Sequence, residues 1–315
     1  MQQTSTAIAQ LYKQSLKLMG NRFEITVAGD DPQWANDMIA AAVAEIQRIE
    51  KLLTTFSNTS ETYLINENAG IAPVVVCTET LELIKRSLRI SRLTQGAFDI
   101  TYGSVDKRLW NFDKTMTSLP EPTIARQAVK LINYRNVIID DNASTVFLKE
   151  KGMRIGFGGI GKGYAAEKAR QLLQEMGVSS GIVNASGDLT TWGMQPDGKP
   201  WTIGIAHPDA ADHPFSYMEI SDMAVATSGN YEKYVLIDGV KYSHTIDPRT
   251  GMPVTGIKSV TIICANAEMA DALATPVTIM GIETGLYMIN QLKGAGCIII
   301  DDNNRIFTSD NINIS

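Results

Sequence analysis

Gly156-Phe-Gly158-Gly159-Ile-Gly161-Lys162-Gly163 sets five glycines and one lysine in eight consecutive positions. Glycine lets a backbone approach a ligand closely, and a helix start offers unpaired N–H groups at the positive end of a dipole. A helix is expected directly after the loop. Ala165, Ala169, Leu172, Leu173 and Met176 recur at helical spacing, and Gly177 stands where a left-handed C-terminal cap would sit. Loop, helix start and Lys162 together suit a phosphate or pyrophosphate.

Two phosphate motifs come close to this stretch. Gly156-x-Gly158-x-x-Gly161 formally matches the dinucleotide fingerprint, but Asp188 follows Gly161 by 27 residues where about 20 are expected. The preceding Lys149-Glu-Lys-Gly-Met-Arg154 is too polar for a central parallel strand. Gly156-x4-Gly161-Lys162 resembles a Walker loop, yet Gly163 replaces the Ser or Thr that would hold magnesium. Neither motif is satisfied.

Three further constellations could carry chemistry. In Gly96-Ala97-Phe98-Asp99-Ile-Thr101, an aromatic that could stack on a base adjoins a carboxylate that could hydrogen-bond it. As local structure the same residues read as a helix stop followed by an Asx turn. Ala226-Thr-Ser-Gly229-Asn-Tyr231 precedes a second polar run, Tyr242-Ser-His244-Thr245-Ile-Asp247-Pro-Arg-Thr-Gly251. His244 has hydroxyls on both sides, and an imidazole suits proton transfer near neutral pH. Asp247 could orient that ring or cap the turn at Pro248. The other histidines, His207 and His213, flank a Pro-Asp-rich segment that reads as a surface loop. Finally, Asp271 and Thr275 stand at i and i+4 of an expected helix, with their oxygens on one face. That pair could help hold a hard cation such as Mg²⁺, or simply hydrogen-bond on a solvated face. Pro276 marks a kink or helix end there.

These residues need a scaffold, and 315 residues at 44% hydrophobic can bury a large core as one domain or two intimate subdomains. A net charge of −6 leaves no electrostatic footprint for nucleic acid. Cys77, Cys264 and Cys297 have no metal-ligand spacing, and two of them lie in apolar strand-like runs as buried thiols. No apolar run approaches the ~20 residues that would cross a bilayer. The first residues also lack the basic and apolar regions of a signal peptide. That fits either a cytoplasmic chain or a mature form whose export signal was removed.

The patterning alternates helices and strands. Phe23–Val27 reads as a strand, and Asp31-Pro32 opens a long helix with Met38, Ala42, Ile46, Ile49 and Leu53 inward. A second helix runs from Thr78 to about Arg92 with Leu81, Ile84 and Leu88 inward, and Pro122-Thr123 begins a third. Strands are expected at Val137–Ile139, Trp201–Ala206, Tyr217–Val225, Tyr234–Ile237, Ser259–Cys264 and Cys297–Ile300. Asp238-Gly239 signals a two-residue hairpin. This order predicts an α+β fold with a mostly antiparallel sheet.

Taken in order, these pieces resemble the ApbE family of FAD:protein FMN transferases. The resemblance runs from Met19-Gly20-x-Arg-Phe to about Gly281. It rests on Thr55-Phe56-Ser57, Gly96-Ala-Phe-Asp99-Ile-Thr101, the glycine–lysine loop and Val183-Asn-Ala-Ser-Gly187-Asp188. It also takes in Ala226-Thr-Ser-Gly229, the His244 run and Asp271-Ala-Leu-Ala-Thr275. A single transferase domain over 19–315 after an extension at 1–18 is the organisation it implies.

By this resemblance the substrate is FAD and the metal is Mg²⁺. FMN passes to a threonine hydroxyl of an acceptor flavoprotein, as in a membrane redox complex, and AMP is released. Met19, Phe56, Ala97, Phe98, Asp99 and Gly156 would line the FAD site, with Lys162 near the phosphates and Thr245 on the flavin side. The Gly159 carbonyl, Asp271 and Thr275 would hold the metal, and His244 would be the catalytic base. Family members often carry an acidic residue where Gly156 stands and a helix former where Pro276 stands. The resemblance also implies a cell-envelope setting, periplasmic side, with a lipid anchor on a longer precursor. FAD binding alone, or FAD hydrolysis to FMN and AMP without transfer, is the alternative activity.

Overall fold

A computed structural model of the chain describes residues 9–106, 108, 116–207, 210–229 and 234–312. Along the chain the elements are β1 (Gln10–Leu18), β2 (Asn21–Gly29), α1 (Pro32–Leu53), α2 (Glu61–Glu67), β3 (Val74–Val75) and α3 (Thr78–Leu93). Next come α4 (Pro122–Ala128), β4 (Val137–Asp140), β5 (Thr145–Leu148), α5 (Gly161–Glu175), β6 (Gly181–Ala185) and β7 (Asp188–Trp192). The chain then forms β8 (Trp201–His207), β9 (Ala210–Ile220), β10 (Ala224–Gly229), β11 (Tyr234–Ile237), β12 (Val240–Ser243) and β13 (Ile257–Cys264). It ends with α6 (Ala267–Met280), α7 (Ile282–Asn290), β14 (Gly296–Asp301) and β15 (Ile306–Thr308). The α+β class with antiparallel pairing is therefore what the structure shows.

Two compact units divide these elements. One holds residues up to Glu50, Lys162–Ala226 and Ile263–Ala270, and the other holds Lys51–Gly161, Thr227–Ile262 and Asp271 onward.

In the first unit β1 pairs with β2 across all nine residues, β2 with β6, β6 with β7, and β7 with the start of β10. The segment expected as an extension before Met19 thus contributes a full edge strand. Phe23, Ile25 and Val27 of β2 are fully buried. The inward face of α1 is Ala35, Ile39, Ala42, Ile46, Ile49 and Leu53, whereas Met38 is only half-buried. Ala165, Ala169 and Leu173 of α5 are buried, while Met176 lies beyond the helix end and is exposed. Gly177 N–H bonds Gln174 O and Val178 N–H bonds Leu173 O, so the helix stops in a Schellman cap with Gly177 at φ 89°.

Two readings of this region need correction. The run Tyr217–Val225 is not one strand. β9 ends at Ile220 and β10 starts at Ala224, because Asp222 turns at φ 55° while Ser221 Oγ donates to Gly193 O at 2.5 Å. The backbone of His207 and His213 lies in the β8–β9 ribbon, with His207 opposite Ala210 and Ala206 opposite Pro214, rather than in a surface loop.

In the second unit a small sheet runs β3-β5-β4, and β14 pairs with β15. The Asp238-Gly239 hairpin forms as expected, with φ of 50° and 78° joining Ile237 to Val240. Cys297 is buried, and burial pushes its thiol up to about 12. Cys264 is buried in the first unit with its thiol raised for the same reason, and Cys77 is exposed.

After β12 the chain makes a narrow irregular hairpin. Ser243 N–H bonds Val254 O, Val254 N–H bonds Thr245 O, and Asp247 N–H bonds Met252 O. Its tip turns at Gly251 with φ 76°, and a Cβ there would sit 2.1 Å from Ala125 O of α4. Only glycine meets both conditions. Gly251→Ala is therefore expected to cost on the order of 2–4 kcal/mol, from left-handed strain plus overpacking. Urea unfolding checks this, and an unchanged midpoint would mean the tip is not clamped on α4.

Candidate active site

In the second unit the phosphate-loop candidate is preceded by backbone that belongs to no strand. Side chains hold it instead. Asn66, at the end of α2 and 5% exposed, accepts Ile155 N–H at 2.7 Å and donates to Ile155 O at 3.0 Å. Ser104 Oγ likewise accepts Arg154 N–H at 2.8 Å and donates to Arg154 O at 3.1 Å. Gly156 N–H bonds Ile100 O, and Gly161 N–H bonds Phe157 O at 2.6 Å, closing the turn that starts α5. A Cβ at Gly156 would meet nothing within 4 Å, so packing leaves room there for a side chain.

Beside this loop stands the Phe98 group. Gln95 and Gly96 end α3 with φ of 52° and 82°. Asp99 then caps a 3-10 turn, Ile100–Ser104, as the Asx-turn reading anticipated. Its Oδ1 accepts Thr101 N–H at 2.8 Å and Thr101 Oγ1–H at 2.6 Å, and Oδ2 accepts Tyr134 N–H at 2.9 Å. Burial raises the Asp99 carboxyl above the ordinary range, while these hydrogen bonds pull the other way. Both oxygens are engaged, so Asp99 shapes the turn that seats Ala97 and Phe98, which are 3% and 7% exposed. The Phe98 ring faces Gly159, where an added Cβ would lie 3.5 Å from it. Phe56 is 94% exposed after α1, its N–H bonded to Thr54 Oγ1.

His244 is exposed at the start of the irregular hairpin, beside buried Thr245, whose N–H bonds Ser243 Oγ at 2.9 Å. Asp247 accepts Arg249 N–H at 2.8 Å and the Arg249 guanidinium at 2.9 and 2.8 Å. Its capping role is thus the one the structure supports. Tyr102 OH accepts Ile246 N–H at 3.4 Å, and Ile246 packs in a cluster with Val105 and Val129. Asn230 and Tyr231 of the preceding motif lie outside the described residues.

Asp271 and Thr275 share one face of α6, where Asp271 is 6% exposed. Pro276 neither ends nor interrupts the helix, which runs on to Met280. Having no N–H, Pro276 leaves the Ala272 carbonyl without its usual helical donor. Among the described residues no three His, Cys, Asp or Glu gather as a metal cluster. A cation at Asp271 would therefore take one carboxylate with hydroxyl and carbonyl oxygens, a donor set that fits a hard ion such as Mg²⁺ bound partly through phosphates.

In the first unit Met19 tips the β1–β2 hairpin at φ 51°, and its carbonyl accepts from Asn21 Nδ2 at 2.8 Å. Lys162, in the first turn of α5, forms an ion pair with Asp188, which is 6% exposed at its side chain. Asp188 opens β7 directly after the Ser186-Gly187 turn, where Gly187 N–H bonds Asn184 Oδ1. The sequence singled out Asp188 but not this pairing. Asn66, Ser104 and Tyr102 were missed altogether, since each acts through tertiary contacts that no spacing encodes. The helix carrying Asn66 begins at an N-cap, Ser60, whose hydroxyl accepts Tyr63 N–H.

Comparison with known proteins places the chain beside flavin transferases. The model of the ApbE family matches residues 19–299. The FAD:protein FMN transferase of Klebsiella pneumoniae is 30% identical over 292 residues, covering 91% of this chain and 83% of that protein. That of Treponema pallidum is 31% identical over 290 residues, covering 86% and 80%. Among solved structures, the ApbE protein of Thermotoga maritima superposes with a TM-score of 0.84 at 33% identity, covering 96% of this chain and 97% of that one. The flavinyl transferase ApbE of Pseudomonas stutzeri gives 0.82 at 26% identity, covering 96% and 95%.

Lys162→Ala is expected to destabilise the fold by on the order of 1–3 kcal/mol, because a nearly buried carboxylate loses its lysine. Lys162→Ala/Asp188→Asn should regain most of that loss. Thermal denaturation of the three proteins checks it, and equal midpoints would make the pair a surface contact without weight.

Proposed function

Since the chain belongs to the ApbE family, we propose that it transfers FMN from FAD to a threonine hydroxyl of an acceptor flavoprotein and releases AMP. The observation that carries the reading is a glycine-rich turn running straight into the start of α5, with Lys162 in the first turn. Amide donors, a helix dipole and an ammonium suit a pyrophosphate. Phe98 and Ala97, seated by Asp99, and exposed Phe56 supply apolar surface for the dinucleotide's rings, joined by Met19 and Gly156. Thr245 stands on the flavin side.

Asp271, Thr275 and the Gly159 carbonyl are the ligands assigned to Mg²⁺, which when bound supplies charge neutralisation at the phosphates. Lys162 adds to that neutralisation and orients the pyrophosphate. His244 takes the proton from the acceptor threonine as its oxygen bonds to the FMN phosphorus, and the bond from that phosphorus to the AMP phosphate oxygen breaks. Positioning and electrostatics are most of what such a transfer asks of a protein. Because His244 is solvent-exposed, water can compete as acceptor, which favours FAD hydrolysis to FMN and AMP as the second reading. An envelope setting and an acceptor in a membrane redox complex complete the proposal. No helix among the described residues is long and apolar enough to cross a membrane.

Incubation with FAD, Mg²⁺ and a candidate acceptor tests the function. FMN should appear on the acceptor by intact mass and AMP in the supernatant, and absence of both sinks the reading. His244→Ala should bind FAD normally yet transfer at least ~100-fold more slowly, losing the acidic limb of its pH–rate profile. A near-parental rate would move the base elsewhere. Asp271→Ala should abolish Mg²⁺-dependent turnover with the fold intact, as judged by circular dichroism, and full activity at ordinary Mg²⁺ would refute the ligand assignment.

A further inference from the structure

Glu167 lies in α5, five residues past Lys162, and is only 2% exposed. A carboxylate this buried is costly unless every lone pair is used. Oε1 accepts the Arg170 guanidinium, with Nε at 3.1 Å, and Gln171 Nε2 at 3.5 Å. Oε2 reaches out of its own helix to accept Ala267 N–H at 3.0 Å.

Ala267 is the first residue of α6. That helix already has a cap of its own, because Asn266 Oδ1 accepts Met269 N–H at 3.0 Å. Glu167 is therefore more than a cap. Its negative charge also meets the positive end of the α6 dipole, which strengthens the bond. Asp271 stands at i+4 from Ala267, one turn along on the same face. Pinning Ala267 thus sets both the rotation of α6 and its position along its axis at the turn that presents Asp271. Arg170 in turn holds the Glu167 carboxylate in that pose.

We propose that Glu167 is a positioning residue for Asp271, tying the helix that follows the glycine loop to the helix that carries the metal carboxylate. The inference rests on the assignment of Asp271 as a metal ligand made above. Residues that orient metal ligands from behind typically change metal affinity by about 10–100-fold when removed.

The test uses Mn²⁺ as a spin probe, titrated into the full chain with ADP present as a pyrophosphate ligand and followed by electron paramagnetic resonance. Glu167→Ala should weaken Mn²⁺ at least ~10-fold, while FAD affinity without metal, read by flavin fluorescence, stays unchanged. Glu167→Gln keeps an oxygen for Ala267 N–H and should recover most of the affinity. Ala267→Pro removes the same hydrogen bond from the other partner, at a first-turn position where proline is tolerated. It should reproduce the loss, which covers the case in which Glu167→Ala fails to fold. A lower melting temperature with unchanged Mn²⁺ affinity in both the Ala and Pro variants overturns the proposal, leaving Glu167 a structural brace. Asp271→Ala runs alongside. Unchanged Mn²⁺ affinity there overturns the ligand assignment itself, and the positioning role with it.

Discussion

Backbone from Arg154 to Gly156 has no sheet partner and no helix, yet it must be rigid for the loop behind it to have a shape. Two small polar side chains resolve this. Asn66 and Ser104 each donate to and accept from one residue of the segment, standing in for a neighbouring strand. Buried N–H and C=O groups must be satisfied somewhere, and here their partners come from α2 and from the turn that Asp99 caps. The Phe98 ring over Gly159 and the start of α5 both inherit their placement from that arrangement.

Charge is handled in the same economical way. Several charged groups around the candidate site are matched by an opposite charge: Lys162 by Asp188, Glu167 by Arg170, Asp247 by Arg249. The partner can stand in another motif, as Asp188 does for Lys162, or in the same one, as Arg249 does for Asp247, so a motif's charge rarely tells where its net charge ends up. For Asp247 the outcome is a capped turn. For Lys162 it means that, under the proposed function, a phosphate would have to compete with a carboxylate already in contact.

What was legible in the sequence follows from the range of the interactions involved. Helical periodicity reported most of the inner faces of α1, α3 and α5, missing at Met38, Leu172 and Met176, and the Asp-Gly pair reported its hairpin, because these depend on residues a few positions apart. The break between β9 and β10 was not legible. Ser221-Asp222 turns the chain through contacts with Gly193, far away in sequence, and an unbroken apolar–polar run concealed it. His207 and His213 looked loop-like beside prolines, but a ribbon edge accommodates Pro214. Candidate site residues with chemistry of their own, such as His244, Asp271 and Lys162, stood out. Asn66, Ser104, Tyr102 and Glu167, which bond the backbone of Ile155, Arg154, Ile246 and Ala267, did not, since a buried hydrogen bond to a distant backbone has no signature in spacing.

The three thiols differ in a way that matters at the bench. Nucleophilic sulfur is the thiolate, and burial keeps Cys264 and Cys297 protonated and out of reach, whereas Cys77 is open to solvent where α3 begins. A maleimide dye or spin label therefore has one address on the native chain. Conjugation there needs no cysteine-free background and leaves the glycine loop, the irregular hairpin and α6 chemically untouched.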